Sequence, residues 1–202
     1  MNNKKHAIAF FDFDGTITKK DTFSDFMVFL IGRWGYLTGL VLNSKILILY
    51  FLNFKSASEA KEALLRYYLK GKSAAVLCKK ADLYVENRFK KIVRKSAINE
   101  INKHLHLGHD VVIVTASPYL WTLPFAKRLK VSLISTQIEV DKNGFYTGNF
   151  NGKNCNGHEK AVRIKCEYNL DEYRQIFSYG DSLGDGPMLE LSDFSFYKYF
   201  KT

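Results

Sequence analysis

The sequence predicts an α/β fold: a parallel sheet with helices on both faces, interrupted by one long helical insertion. Two observations predict it. Short apolar runs (Ala7 to Phe13, Asp110 to Val114, Gln175 to Tyr179) alternate with longer segments of helical character, the pattern of βαβ units. Residues 19–96, directly after the first run, lack strand signals and are rich in helix formers. The expected organisation is a core of residues 1–18 and 97–202, carrying an inserted helical unit of residues 19–96.

Each element has its own signal. Ala7 to Phe13 is a compact apolar strand ended by Gly15. Within the insertion, SASEAKEALLRYYLKG reads as a helix, with Ser58 and Glu62 near its start. Ala97 to Leu107 is a helix stopped by Gly108, and Asp110 to Val114 is the second buried strand. Tyr119 to Lys130 follows as helix and Val131 to Val140 as strand. Asn143-Gly144, between IEV and FYTG, marks a small β-hairpin. Glu159 to Tyr168 reads as helix and Gln175 to Tyr179 as strand; Gly186-Pro187 opens a helix, and Phe194 to Phe200 is the last strand.

Charge is unevenly placed. The net charge is +10, and residues 19–96 hold 16 Lys/Arg against 6 Asp/Glu, which accounts for the whole excess. A localised basic field attracts phosphorylated molecules, nucleic acid or anionic lipid, although a lysine-rich helical face is also ordinary solvated surface. No nucleic-acid-binding motif accompanies it. Cys78, Cys155 and Cys166 form no C-x-x-C pair, which fits a reduced, cytoplasmic setting. Cys155 and His158 lack the second ligand pair that a zinc site needs. The apolar run Ala7 to Phe11 is too short for a secretory signal.

Residues 36–54, YLTGLVLNSKILILYFLNF, approach the roughly 20 apolar residues of a membrane span. Asn43, Ser44 and Lys45 interrupt the run at its middle, where charge is most costly. The segment therefore reads as a helical hairpin, either core of the insertion or resting on a membrane surface.

The chemistry-bearing residues fall at strand ends, where ligands bind in such sheets. Asp12 and Asp14, two apart, point to one side of the first strand's end. Paired carboxylates there need a partner, and a divalent cation serves. Alone, the motif also reads as a strand running into a turn. The second strand, VVIVTAS, places Thr115 and Ser117 to hold a phosphate oxygen, while Ser117-Pro118 also reads as a helix cap. Lys160 sits near a helix start, and Asp181 and Asp185 follow the strand in SYGDSLGDGPML.

The order FFDFDGT, VIVTAS, Lys160, GDSLGD resembles the four motifs of the haloacid dehalogenase superfamily, over about residues 7–192. The insertion after the first motif resembles the C1 cap of the branch that contains phosphoserine phosphatase. The resemblance implies a Rossmann-like core and an Mg²⁺-dependent phosphatase. It makes Asp12 the nucleophile that becomes an aspartyl-phosphate and Asp14 the general acid/base. It implies Thr115 and Lys160 as phosphate ligands, with Ser117 beside them, and Asp12, Asp14 (by its backbone carbonyl), Asp181 and Asp185 around the metal. Asp21, also readable as a helix N-cap, matches the acidic residue that binds the phosphoserine amine, and Arg66 is the nearest cap arginine for its carboxylate. A second resemblance, to bacterial phosphatidylglycerophosphate phosphatases, rests on the apolar run and on Cys155-Asn156-Gly157-His158-Glu159-Lys160. It implies a lipid phosphate and work at the inner face of the membrane. Phosphotransfer to another acceptor, and a non-catalytic membrane-associated module, stay open at this point.

Overall fold

The structure, a computed structural model, describes residues 5–200. Strand β1 (Lys5–Phe11) runs into a single π turn (Phe13–Ile17). Helices α1 (Thr22–Leu42), α2 (Ser44–Phe51), α3 (Ala57–Leu69) and α4 (Ala74–Ile92) follow without a strand. Then come α5 (Lys95–His106), β2 (Asp110–Pro118), α6 (Tyr119–Leu129), β3 (Ser132–Thr136), and the pair β4 (Ile138–Val140) and β5 (Tyr146–Phe150). Helix α7 (His158–Glu167), β6 (Tyr173–Gly180), the short α8 (Gly186–Leu189) and β7 (Phe194–Tyr197) complete it.

Five strands form one sheet in the order β3-β2-β1-β6-β7, and every pairing is parallel. This is the α/β sheet the alternation predicts, with β4 and β5 as a separate antiparallel hairpin. The order reverses at β1: β2 lies on one side and β6 on the other. That reversal opens a crevice beyond the carboxyl ends of the strands, and Asp12 stands at its centre.

Chain entry to and exit from the helical segment are clamped together. Thr18 and Val93 form an antiparallel bridge, with Lys19 N–H donating to Ile92 and Arg94 N–H to Ile17 at 2.7 and 2.8 Å. Aromatic packing joins these helices to the sheet layer. Phe26 of α1 stacks on Trp121 of α6 at 4.9 Å, and Tyr84 of α4 meets Phe125 edge-on at 6.0 Å. All four side chains are fully buried or nearly so, and such aromatics carry large burial energy.

Several boundaries differ from the sequence reading, each for a local reason. The first strand stops at Phe11 because Gly15 takes φ +84° and turns the chain. Val131 to Val140 is two strands, since Gln137 breaks the run where the chain leaves the sheet for the hairpin. Helix α3 starts at Ala57, with its cap two residues before Ser58: Ser56 and Glu59 form a reciprocal capping box. The last strand ends at Tyr197, since Lys198 adopts φ +57°. Residues 36–54 are the last third of α1, all of α2 and the turn after it, broken at Asn43.

The hairpin also braces α3. Gly71 N–H donates to Tyr146, Tyr146 N–H donates to Lys72, and Phe150 N–H donates to Glu62 at 2.8 Å. Gly148 allows the close approach, since a Cβ there would collide with the Arg66 backbone.

Candidate active site

At the end of β1, Asp12 N–H donates to Tyr179 of β6 at 2.9 Å. That bond fixes the Asp12 backbone at the sheet's centre, with its side chain almost wholly buried. Burial raises the carboxyl pKa; Lys160 opposes this, Asp185 and Asp14 add to it, and the value reaches about 7. Lys160, projecting from α7, is buried and donates to Asp12 Oδ1 (2.6 Å), Asp185 Oδ1 (2.7 Å) and the Val114 carbonyl (2.8 Å). Burial alone would favour the neutral amine. The two carboxylates outweigh it and hold the pKa above that of a free lysine.

Asp185 is fixed from both sides. Its other oxygen accepts from Asp181 N–H, Ser182 N–H and Ser182 Oγ at 3.0, 2.9 and 2.8 Å. Burial pushes its pKa up, but Lys160 and these donors bring it below the ordinary carboxylate value. Carboxylate oxygens of Asp12, Asp181 and Asp185 all lie within 4.8 Å of one another. Among the described residues this is the metal-competent group of His, Cys, Asp and Glu. Cys155 is buried instead, its thiol pushed up to about 11 by burial, as expected of a structural cysteine.

Asp14 turns to a different set of partners. Its Oδ1 accepts from Thr22 N–H at 2.7 Å, at the start of α1, and its Oδ2 accepts from Ser117 Oγ at 2.5 Å. Burial and the nearby Asp21 raise its pKa, against the pull of these hydrogen bonds. Ser117 therefore serves Asp14 and is not the cap of α6, whose N-cap is Pro118. Thr115 Oγ1 accepts from Ser117 N–H at 2.9 Å, which sets the turn at the end of β2. Trp121 Nε1 donates to Thr22 Oγ1 at 3.0 Å and ties α6 to the same corner.

Two expected substrate residues part company. Asp21 caps α1, accepting from Phe23 N–H and Ser24 N–H at 3.2 and 3.3 Å, and also borders a cavity beside the site. Arg66, expected to face the substrate, is turned to the hairpin: its Nε and Nη2 donate to Asn149 Oδ1 at 3.0 and 2.8 Å. The cation that α3 does bring to the site is Lys61. Its Nζ donates to the Ala116 carbonyl at 2.9 Å, between Thr115 and Ser117. Burial lowers its pKa, with Asp14 and Asp21 opposing. Charge counting hides Lys61 among sixteen basic residues. Its helical spacing reveals it, since Ala57, Leu64 and Leu65 share its face.

Comparison with known proteins accords with this geometry. The family profile of haloacid dehalogenase-like hydrolases matches residues 9–190. Protein CicA of Caulobacter vibrioides is 34% identical over 203 residues, spanning 100% of this chain and 89% of CicA. Phosphoserine phosphatase SerB1 of Mycobacterium tuberculosis is 25% identical over 195 residues, covering 92% of this chain and 62% of SerB1. A Bordetella pertussis protein of unknown function superposes with TM-score 0.80 at 25% identity, over 95% of this chain and 89% of its own. With acidic groups from two strand ends gathered on one buried lysine, the chain belongs to the haloacid dehalogenase-like hydrolase family.

Proposed function

We propose that this protein is a phosphomonoester hydrolase working through an aspartyl-phosphate on Asp12, with residues 19–96 as a C1-type cap. The observation that carries this reading is the Asp12–Lys160–Asp185 bridge with Asp181 beside it. A binding module gains nothing from burying two carboxylates on one cation with a third beside them, a costly arrangement unless it is used.

Asp12 attacks phosphorus in line with the departing ester oxygen, and Asp14 delivers a proton to that oxygen as the bond breaks. The raised pKa of Asp14 favours the protonated form this step requires. Deprotonated Asp14 then takes a proton from the water that cleaves the acyl-phosphate, releasing phosphate and restoring Asp12. Lys160 and Thr115 hold phosphoryl oxygens and offset their growing charge, while Ser117 keeps Asp14 in place. The all-oxygen cluster suits Mg²⁺, which Asp12, Asp181 and the Asp14 backbone carbonyl would hold, with Asp185 alongside. When bound, the ion supplies positive charge to the phosphoryl group.

For the substrate, the reading is a phospholipid head-group phosphate such as phosphatidylglycerophosphate, reached by peripheral contact of residues 36–54 with the membrane. Exposed apolar side chains in that segment support it. A phosphoserine-type metabolite is the second reading, favoured by the SerB1 relationship and by Asp21 beside the site. Phosphate release from phosphatidylglycerophosphate micelles and from phosphoserine, each with Mg²⁺, decides between them. Asp12→Asn is the control, and equal release by variant and wild type would sink the catalytic reading.

A further inference from the structure

A cavity of about 420 Å³ lies between α1, α2 and α3, within the size range of ligand pockets, about 300–1,000 Å³. Its walls include Phe23, Leu47, Tyr50 and Leu64, and its polar members are Asp21 and Lys61. Those two residues mark the end nearest the chemistry. Asp21 immediately precedes Thr22, whose N–H holds Asp14. Lys61 holds the Ala116 carbonyl, next to Ser117, which holds the other oxygen of Asp14.

An acid that protonates the departing oxygen must stand on the leaving-group side of the phosphorus. Asp21 and Lys61 both act electrostatically on Asp14, so the cavity they border is the space on that side of the site. From this we infer that the cavity receives the leaving group, and that its apolar walls select an alkyl body of several carbons behind the polar rim of Asp21 and Lys61. This rests on the phosphatase reading and deepens it. A leaving group of serine size would not reach Leu47 and Tyr50 on the far wall. Leu47 and Tyr50 come from α2, which contributes no fully buried residue; Leu47 packs at the edge of the core, so this wall lies at its margin.

The test uses soluble esters, so that no membrane or micelle takes part. kcat/KM is measured for butyl, hexyl and octyl phosphate, each below its critical micelle concentration. Wild type is expected to gain about threefold to fourfold per methylene that enters the cavity. In Leu47→Ser/Tyr50→Ser the gain falls below about twofold per methylene, as expected once the wall is polar. Equal kcat/KM from butyl to octyl overturns the inference, as does a gain that the double substitution leaves intact. Calorimetric binding of the same esters to Asp12→Asn separates the two readings. Tighter binding of octyl than butyl phosphate, lost in the double variant but without hydrolysis by wild type, keeps the cavity and sinks the phosphatase. Equal binding without hydrolysis sinks both.

Discussion

Lys160 Nζ lies 2.6 Å from Asp12 Oδ1, with both side chains withdrawn from solvent. The same ammonium bridges to Asp185 at 2.7 Å, so a single cation balances carboxylates that arrive from two different strands. Removing it leaves two buried acids facing one another. Lys160→Met is expected to cost about 3–5 kcal/mol of stability and to lower hydrolysis at least about 10²-fold. Mg²⁺ should restore more stability to this variant than it adds to wild type, because the ion replaces the missing charge. Urea denaturation with and without Mg²⁺ measures both. A variant as stable as wild type and indifferent to Mg²⁺ would refute the bridging role.

Gly15 controls the approach of the first motif to the last. It holds φ +84°, and a Cβ added there would strike the Asp181 carboxylate. Gly15→Ala is expected to lose about 1–2 kcal/mol from the left-handed backbone alone and to displace Asp181. The half-saturating Mg²⁺ concentration for hydrolysis should rise several-fold. Denaturation and a Mg²⁺ titration report the two effects separately, and an unchanged Mg²⁺ requirement would detach Gly15 from the acidic cluster of Asp12, Asp181 and Asp185.

Much of this arrangement is legible before any coordinates. β1, β2 and β6 stand out because a central parallel strand is apolar on both faces, and polar residues at their ends mark the crevice. Lys61 and Arg66 show the limit. Both are cations of one helix, and sequence distance from Asp12 does not tell which one faces it. The answer depends on how α3 is rotated, which the long-range bonds of its neighbours Glu62 to Phe150 and Arg66 to Asn149 accompany. Ser117 is similar: next to Pro118 it reads as a cap, but a hydrogen bond across 103 residues recruits it to Asp14. Local spacing carries local structure, whereas partners in the fold set side-chain roles.

A buried histidine on α5 predicts acid sensitivity. His104 meets His109 at 2.8 Å and Tyr179 OH at 3.0 Å, with Glu100 at 3.9 Å and Lys103 on the same helix. Burial, then the neighbouring His109, lowers its pKa from 6.5 to about 4; Glu100 opposes this and Lys103 adds to it. The unfolded chain therefore binds this proton more readily than the folded one. Stability from this group is complete above about pH 6.5, declines as pH falls toward about 4, and levels off below. The loss is expected to be about 1–3 kcal/mol. His104→Gln should flatten that part of the profile in urea denaturation measured at successive pH values, and a parallel curve for the variant would assign the sensitivity elsewhere.

Helix α1 is long and apolar enough to cross a bilayer by length and composition, yet its first half is occupied by the protein core. Phe23, Phe26 and Met27 are buried, while Trp34 is 81% exposed and Phe51 and Phe54 are 77% and 74% exposed. Between Asp25 and Glu59 the chain carries Arg33, Lys45 and Lys55 and no acidic residue. A segment with these exposed rings and this charge has the composition that rests on an anionic interface, with rings inserted and cations at the head groups. Co-sedimentation with phosphatidylglycerol vesicles is expected, with much weaker binding to phosphatidylcholine vesicles and a loss of binding as salt rises. Replacing Trp34, Phe51 and Phe54 together by Ser should weaken vesicle binding by about 10²-fold or more. It should leave the melting temperature near that of wild type, because none of the three is buried. Equal sedimentation of wild type and the triple variant would remove this segment from any membrane contact.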